Sequence, residues 1–544
     1  MTADKLKFRS LFYFFDNQYN RSNFYVSRFC SAAHILMLLW LSLIVVASNG
    51  CQTLPKPETK TISYAYEPHP ERKLAVITRD LLKGTDTGTS GFLSLLRNDD
   101  AMRWRLLLAD LAEETLDLQY FIWKGDVAGD LLLDRVLRAA DRGVRVRLLV
   151  DDIHLLGGDR DVAGLSQHPQ IEIRLFNPSK GRSGSTILYG IEYMGNLKEL
   201  NHRMHNKLIV ADNRLSIVGG RNIGNEYFGL NPKQNFIDFD VLALGPIAQE
   251  LSESFDIFWN NTWSYPGEAL LQNFKNQDLL TEVREIVGQQ LEKNKKLLVA
   301  FQQHRQDWNP HLRVLARDIV YGKAQVTYDQ PLVGEDIMPE QLAKSLDVLT
   351  LNAQQEILVS TPYFIPDEVF YKFAPDLISK GVRVVILTNS LGSTNHPIVH
   401  SAYKKHRKKV IELGVALFEM RHDAPVREDF DTPPVESQAF GLHAKVVVID
   451  RQTTFVSTLN WDPRSIYLNT ELGLMIDSPV LADEIANYIE GALEPENSWQ
   501  VKIDPKDRLI WVSEDTVLQK EPARTFWQRF QSGFFGLFSL DDQL

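Results

Sequence analysis

Two stretches of the chain, HNKLIVAD at 205–212 and HAKVVVID at 443–450, each place a histidine two residues before a lysine and seven before an aspartate. Matching residues stand 238 apart, taking 205 from 443, and the same offset relates Gly219 to Ser457, Asn222 to Asn460 and 143–146 to 381–384, both GVRV. One long repeat therefore supplies two sets of His, Lys and Asn. These residue types suit displacement at phosphorus. One neutral imidazole attacks and carries the phosphoryl group covalently, splitting one hard step into two easier ones. The other, protonated, donates to the leaving oxygen and later takes a proton from the incoming alcohol or water. Lys207, Lys445, Asn222 and Asn460, with Gly220 and Ser457 beside them, hold the charged oxygens, a task often given to a metal. No metal or cofactor is required, and no Cys/His cluster has ligand spacing.

These residues need elements to position them. Leu208–Ala211 and Val446–Ile449 are apolar, β-favouring runs and predict buried strands. Residues two apart on a strand share a face, so His205 points with Lys207 and His443 with Lys445. Asp212 and Asp450 break that parity. Each opens a turn (DNR, DRQ) where Asp bonds its own backbone, so these two complete the motifs as structural supports rather than proton carriers. Carboxylates to orient the imidazoles must come from elsewhere, and Asp238 in NFIDFD and Glu471 in NTELG are the candidates. Their difference is expected to push the two histidine pKa values apart. A lone HxK pair is a cheap accident, whereas two in register are not. His202 reads as a supporting or surface residue, and His154, His396 and His400 as residues able to face the cleft. Gly219-Gly220 is either a bulge or a close backbone approach to ligand, the second preferred.

Strand-type runs at 116–123, 144–151 and 171–176 alternate with a helical pattern at 129–142, and 356–361, a helical stretch and 382–388 repeat the order, which indicates α/β halves. The expected organisation is an N-terminal tail and hydrophobic segment at 1–50, a linker at 51–70, a first half at 71–267, a connecting segment without chemistry at 268–342, a second half at 343–500 and an aromatic tail at 501–544.

The stretches RMHNK, VGGRNIGNEYFG, YFIPDE, LTNSLGSTN, LHAKVVVID, STLNWDPRS, LNTELG and EPARTFWQRF resemble the phospholipase D superfamily, whose signature is a duplicated HxKxxxxD, and within it bacterial cardiolipin synthases of the C type. The resemblance runs from about Leu93 to the C-terminus. It implies two α/β/α halves about a pseudo-twofold axis with the active site at their interface, His205 as nucleophile and His443 as acid/base. It implies a phosphatidyltransferase that acts on phosphatidylglycerol or phosphatidylethanolamine as donor and passes the phosphatidyl group to phosphatidylglycerol. The alternative enzyme is a phospholipase D with water as acceptor; a nuclease and a silent membrane scaffold stand further off. Asn395 departs from the family, where an Asp is expected, which bears on head-group recognition.

Residues 35–47 (ILMLLWLSLIVVA) form an apolar run preceded by Lys5, Lys7, Arg9, Arg21 and Arg28. The positive-inside rule then keeps the start cytoplasmic and exports the body, which implies the bacterial cell envelope. Attachment is either a lipid on Cys51, behind an imperfect lipobox, or an uncleaved anchor. The only cysteines are Cys30 and Cys51, so the body has no disulfide. Near the other end Phe526, Phe530 and Phe534 recur at helical spacing, as a bilayer-facing stripe or a packing surface. A formal charge of −11 argues against nucleic acid, whose binding needs Lys and Arg on phosphates. The basic run 404–409 reads as a solvated helix face, or as one that meets anionic head groups. The sequence leaves open the donor head group and any accessory protein.

Overall fold

The computed structural model describes residues 60–67, 69–152, 158–179, 202–270, 274, 277–302, 307–331 and 341–535. Residues 35–47, Cys30, Cys51, His154 and the last nine residues lie outside them. The first half carries β1 (Ser90–Leu95), β2 (Thr115–Tyr120), β3 (Arg145–Asp151), β4 (Ile171–Phe176), β5 (Leu208–Ala211), β6 (Leu215–Gly219), β7 (Asn235–Ile237), β8 (Asp240–Leu244) and β9 (Ser264–Pro266). Apart from β7 they pair in the order β1-β8-β6-β5-β2-β3-β4-β9. The second half carries β10 (Val320–Tyr328), β11 (Glu356–Ser360), β12 (Arg383–Asn389), β13 (Ala416–Met420), β14 (Phe440–Leu442), β15 (Val446–Ile449), β16 (Thr453–Ser457), β17 (Leu472–Asp477) and β18 (Ser498–Ile503). Apart from β14 the order is β10-β17-β16-β15-β11-β12-β13-β18. The two orders match strand for strand.

The crossover helices start and stop by the same local chemistry in both halves. Asp126 caps Val127–Asp141 by accepting from the Gly129 N–H, and Asp367 caps Glu368–Ser379 by accepting from the Phe370 N–H. Gly143 and Gly381 follow the helix ends with φ of 91° and 88°, a left-handed conformation that favours glycine, before the next parallel strand begins. Inside the boundary, helices Pro246–Asn260 and Pro479–Leu493 share one apolar cluster that runs from Val210, Phe255 and Trp259 to Val448, Leu474 and Ile485. β1 also pairs with β10, so the two sheets are continuous.

The expected boundaries need correction here. Residues 60–67 are no linker: Ala65 N–H donates to Asp256, and the Arg145 guanidinium lies 3.7 Å from the centre of the Tyr66 ring. The connecting segment is structural too. Its helix Leu279–Lys293 adds Leu279, Val283, Val287 and Leu291 to the first core, and β10 is an edge strand of the second sheet. That sheet does not end at 500, because β18 continues to Ile503 and β19 (Leu509–Ser513) and β20 (Thr516–Leu518) extend it. Among the described residues no helix is long and apolar enough to cross a membrane.

The motif aspartates open hairpins whose two turn residues have positive φ, 49° and 51° at Asp212-Asn213, and 52° and 50° at Asp450-Arg451. Their carboxylates do not bond their own turns. Asp212 accepts from the N–H groups of Glu113, Glu114 and Thr115 at 3.0, 2.8 and 3.0 Å. Asp450 accepts from those of Gln354, Gln355 and Glu356 at 2.8, 2.7 and 2.9 Å. Each therefore ties a hairpin to the start of the neighbouring antiparallel strand, β2 or β11. Asp212→Asn should cost about 2 kcal/mol of stability by weakening charge-assisted bonds, read as a lower Tm, while the folded fraction keeps most of its turnover. Lost turnover with an unchanged melt would make Asp212 a participant in the chemistry.

Candidate active site

His205 and His443 sit just ahead of β5 and β15, where the chain crosses to the other half. His205 N–H donates to Thr470 O at 2.9 Å, and His443 N–H donates to Ile237 O at 2.7 Å. Parallel pairing of β14 with β7, and a bridge between Met204 and Thr470, fix both crossings. The residue after each accepting carbonyl is the carboxylate that the histidine needs. Glu471 holds His205 Nδ1 at 2.9 Å, and Asp238 holds His443 Nδ1 at 2.6 Å. Each half's imidazole is thus oriented by the other half's carboxylate. With Nδ1–H donating to carboxylate, each Nε2 is left for chemistry.

Lysines complete the two sets. Lys207 donates to the His205 carbonyl. Lys445 donates to the His443 carbonyl at 2.6 Å and stands 3.0 Å from His443 Nδ1. Aromatic rings wall the pairs: Phe121 meets His205 edge-on at 4.8 Å, while Phe236 stacks on His443 at 5.4 Å and Tyr227 meets it edge-on at 5.1 Å.

Burial governs every charge here. Desolvation, reinforced by Lys207 and Lys445, pushes both imidazoles well below their ordinary pKa. Both imidazoles are thus shifted in the same direction, because both are buried and both face the same two lysines. Burial also lowers Lys207 to about 7 and Lys445 to about 8. It raises Glu471 to about 8 and Asp238 above its ordinary value. A phosphodiester anion entering the site supplies the negative charge that favours protonated lysines and one protonated imidazole.

The remaining expected residues divide. Asn460 is buried, and its carboxamide oxygen has no hydrogen-bond partner among the described residues. Asn222 is engaged, accepting from Ile122 N–H at 3.2 Å and donating to Tyr227 Oη at 3.1 Å. Ser457 Oγ accepts from Leu459 N–H at 3.3 Å. Gly220 is not a phosphate contact: its N–H donates to Phe239 O, and a Cβ there would overlap the Asp238 carboxylate. Its missing side chain makes room for the group that orients His443. Thr458, at the matching position of the repeat, instead donates its hydroxyl to Glu471.

Sequence reasoning missed Thr458 and Asp329. Asp329 accepts from Glu471 N–H at 3.0 Å, and burial holds it at about 7. It directly follows β10, in the segment read as free of chemistry. Arg105 and Arg221 pair with buried Asp240 at 2.8 and 3.2 Å, bracing the strand behind Asp238. His202 Nδ1 donates to Leu468 O at 2.9 Å, a supporting contact. His400 is buried between Arg407 and Glu521, at 2.7 and 3.2 Å. His396 lies edge-on to Tyr363 at 5.6 Å, and Tyr363 Oη donates to Asn395 at 2.9 Å. The basic run is not one solvated face, since Arg407 is buried against Glu419 at 2.6 Å.

Asp238→Asn should lower kcat about 100-fold or more by releasing the His443 tautomer. Gly220→Ala should reproduce that loss by displacing the same carboxylate; a Gly220→Ala enzyme of normal rate would separate Gly220 from Asp238. Both lysine pKa values are lowered, so their protons are lost as pH rises through about 7 to 8. Thus kcat/KM should fall above about pH 8, while kcat, measured with phosphate bound, falls at higher pH. Profiles from about pH 6 to about pH 10 test this, and a flat kcat/KM would remove the lysines from substrate capture.

The family model described as "Cardiolipin synthase, PLD-like domain" matches residues 108–259 and 349–493, the two halves that carry the histidines. Cardiolipin synthase C of Escherichia coli (strain K12) is 34% identical over 460 residues, covering 81% of this chain and 93% of its own length. The major cardiolipin synthase of Bacillus subtilis (strain 168) is 25% identical over 392 residues, covering 72% of this chain and 66% of its own. A crystal structure of phosphatidylserine synthase from Haemophilus influenzae Rd KW20 aligns over 77% of this chain and 90% of its own at a TM-score of 0.49 and 15% identity. The chain belongs to the cardiolipin synthase family of the phospholipase D superfamily and is an enzyme of the phosphatidyltransferase type.

Proposed function

We propose that the protein makes cardiolipin by way of a covalent phosphatidyl-histidine. The observation that carries this reading is the crossed pairing, in which two buried imidazoles each hold a carboxylate on Nδ1 and keep Nε2 for phosphorus chemistry. His205 Nε2 attacks the phosphorus of a donor phospholipid and a P–N bond forms. The P–O bond to the head group breaks, and His443 protonates the departing oxygen. The neutral His443 then deprotonates a hydroxyl of phosphatidylglycerol, whose oxygen attacks phosphorus as the P–N bond breaks. Lys207 and Lys445 stabilise the charge spread over the phosphorane-like oxygens, and the vacant carboxamide oxygen of Asn460 orients a hydroxyl or amine of the entering lipid.

The reading places the enzyme in the bacterial cell envelope. Its body stands on the periplasmic side, attached through residues 35–47 or through a lipid on Cys51. Phosphatidylglycerol and phosphatidylethanolamine are the donors to test. In mixed micelles, labelled phosphatidylglycerol offered alone and then with phosphatidylethanolamine should yield labelled cardiolipin. His205→Ala and His443→Ala should each lose nearly all turnover, and His443→Ala should accumulate labelled protein. A tenth of the activity remaining in either variant would defeat the two-histidine mechanism. Label confined to phosphatidic acid would make water the acceptor.

A further inference from the structure

The C-terminal helix Phe526–Phe535 is held by one face only. Ser532 is fully buried, and Lys404 Nζ donates to its carbonyl at 2.9 Å and its hydroxyl at 3.2 Å. Just before the helix, Glu521 accepts from Arg407 at 2.8 Å and from His400 at 3.2 Å. Arg524 donates to Gln234 Oε1 at 3.2 Å, and Gln234 donates onward to Ser393 O at 2.8 Å. Gln234 packs against Gly441, two residues before His443. The helix therefore hangs from residues of both halves beside the catalytic histidine.

Its other face is open. Phe526, Trp527 and Phe530 are 80, 61 and 50% exposed, and the Trp527 and Phe530 rings stack at 5.0 Å. A run of exposed aromatics on one helix face is uncommon on a soluble surface and marks a contact. The surrounding charge says with what. Arg524 and Arg529 flank the stripe along the chain, while Glu521, the acid nearest in sequence, is spent on Arg407 and His400. On a chain of formal charge −11 this is a local reversal of sign. Aromatic rings between basic side chains match the boundary between acyl chains and anionic head groups.

We propose that this aromatic face enters the head-group layer of an anionic phospholipid bilayer and presents the His443 side of the site to it. The docking stands on the helix alone; the presentation of substrate rests on the phosphatidyl-transfer reading. The full chain is tested with vesicles of brominated phosphatidylglycerol, which should quench the fluorescence of the wild type more than that of Trp527→Phe. Equal quenching, or equal excess quenching by brominated phosphatidylcholine vesicles, overturns the proposal. In parallel, Phe526→Ser/Trp527→Ser/Phe530→Ser should lower the ratio of turnover on phosphatidylglycerol vesicles to turnover on monomeric short-chain phosphatidylglycerol at least about tenfold. A ratio within about twofold of wild type overturns it, and because it is a ratio, partial misfolding cancels. A lipid-free dimer that the triple substitution dissociates would assign the face to a second copy instead. A wild type inactive on both substrates defeats the transfer reading, while the quenching still decides the docking.

Discussion

Glu471 and Asp238 cross the boundary between the halves to reach the imidazoles of the opposite half, and these two contacts constrain the rest of the molecule. Buried charge is tolerated only when every partner is in place, and removing one partner of a buried pair costs about 3–5 kcal/mol. Much of the surrounding structure serves that requirement. β7 and β14 pair so that Ile237 O can take the His443 N–H, and the bridge from Met204 to Thr470 does the same for His205. Arg105 and Arg221 brace Asp240 behind one carboxylate, and Asp329 and Thr458 brace the other. The shared apolar cluster around Trp259 and Ile485 keeps water from the boundary. Dryness in turn lowers the lysines and imidazoles together, leaving a site whose charge is completed by the anion it binds.

Much of this was legible before any coordinates. A constant offset of 238 residues announced two equivalent halves, and the apolar runs after each HxK placed the motifs ahead of buried strands. Asp238 and Glu471 could be named because two imidazoles need carboxylates and the motif aspartates sit at turns. Other features were hidden because they are tertiary. The carboxylate of Asp212 bonds Glu113, Glu114 and Thr115, nearly a hundred residues away in sequence, and no local pattern reports that. Gly220 read as a ligand approach because a glycine's sequence does not say what fills its empty side; here it is Asp238. β10 went unseen since its alternation is that of a half-buried edge strand inside a polar segment. Arg407 looked solvated within a run of like charges, yet Glu419 and Glu521 reach it from distant strands and turns.

The C-terminal segment shows the same limit from the other side. Helical spacing of Phe526, Phe530 and Phe534 established a stripe, but spacing does not tell an inward stripe from an outward one. The buried position of Ser532 and the Lys404 contact settle it, because they occupy the face opposite the exposed rings.

Crossed orientation has one more consequence. A single half carries an imidazole whose carboxylate it does not own, so alone it could complete such a site only by pairing with a copy of itself. In that pairing every residue would be bound to appear twice, and the two imidazoles would be equal by symmetry. Joining the copies into one chain removes that obligation. Here the same position holds glycine in one copy, making room for an aspartate, and threonine in the other, bonding a glutamate. Covalent fusion thus gave each copy licence to drift from its twin, which is the freedom a reaction with two unlike proton roles requires.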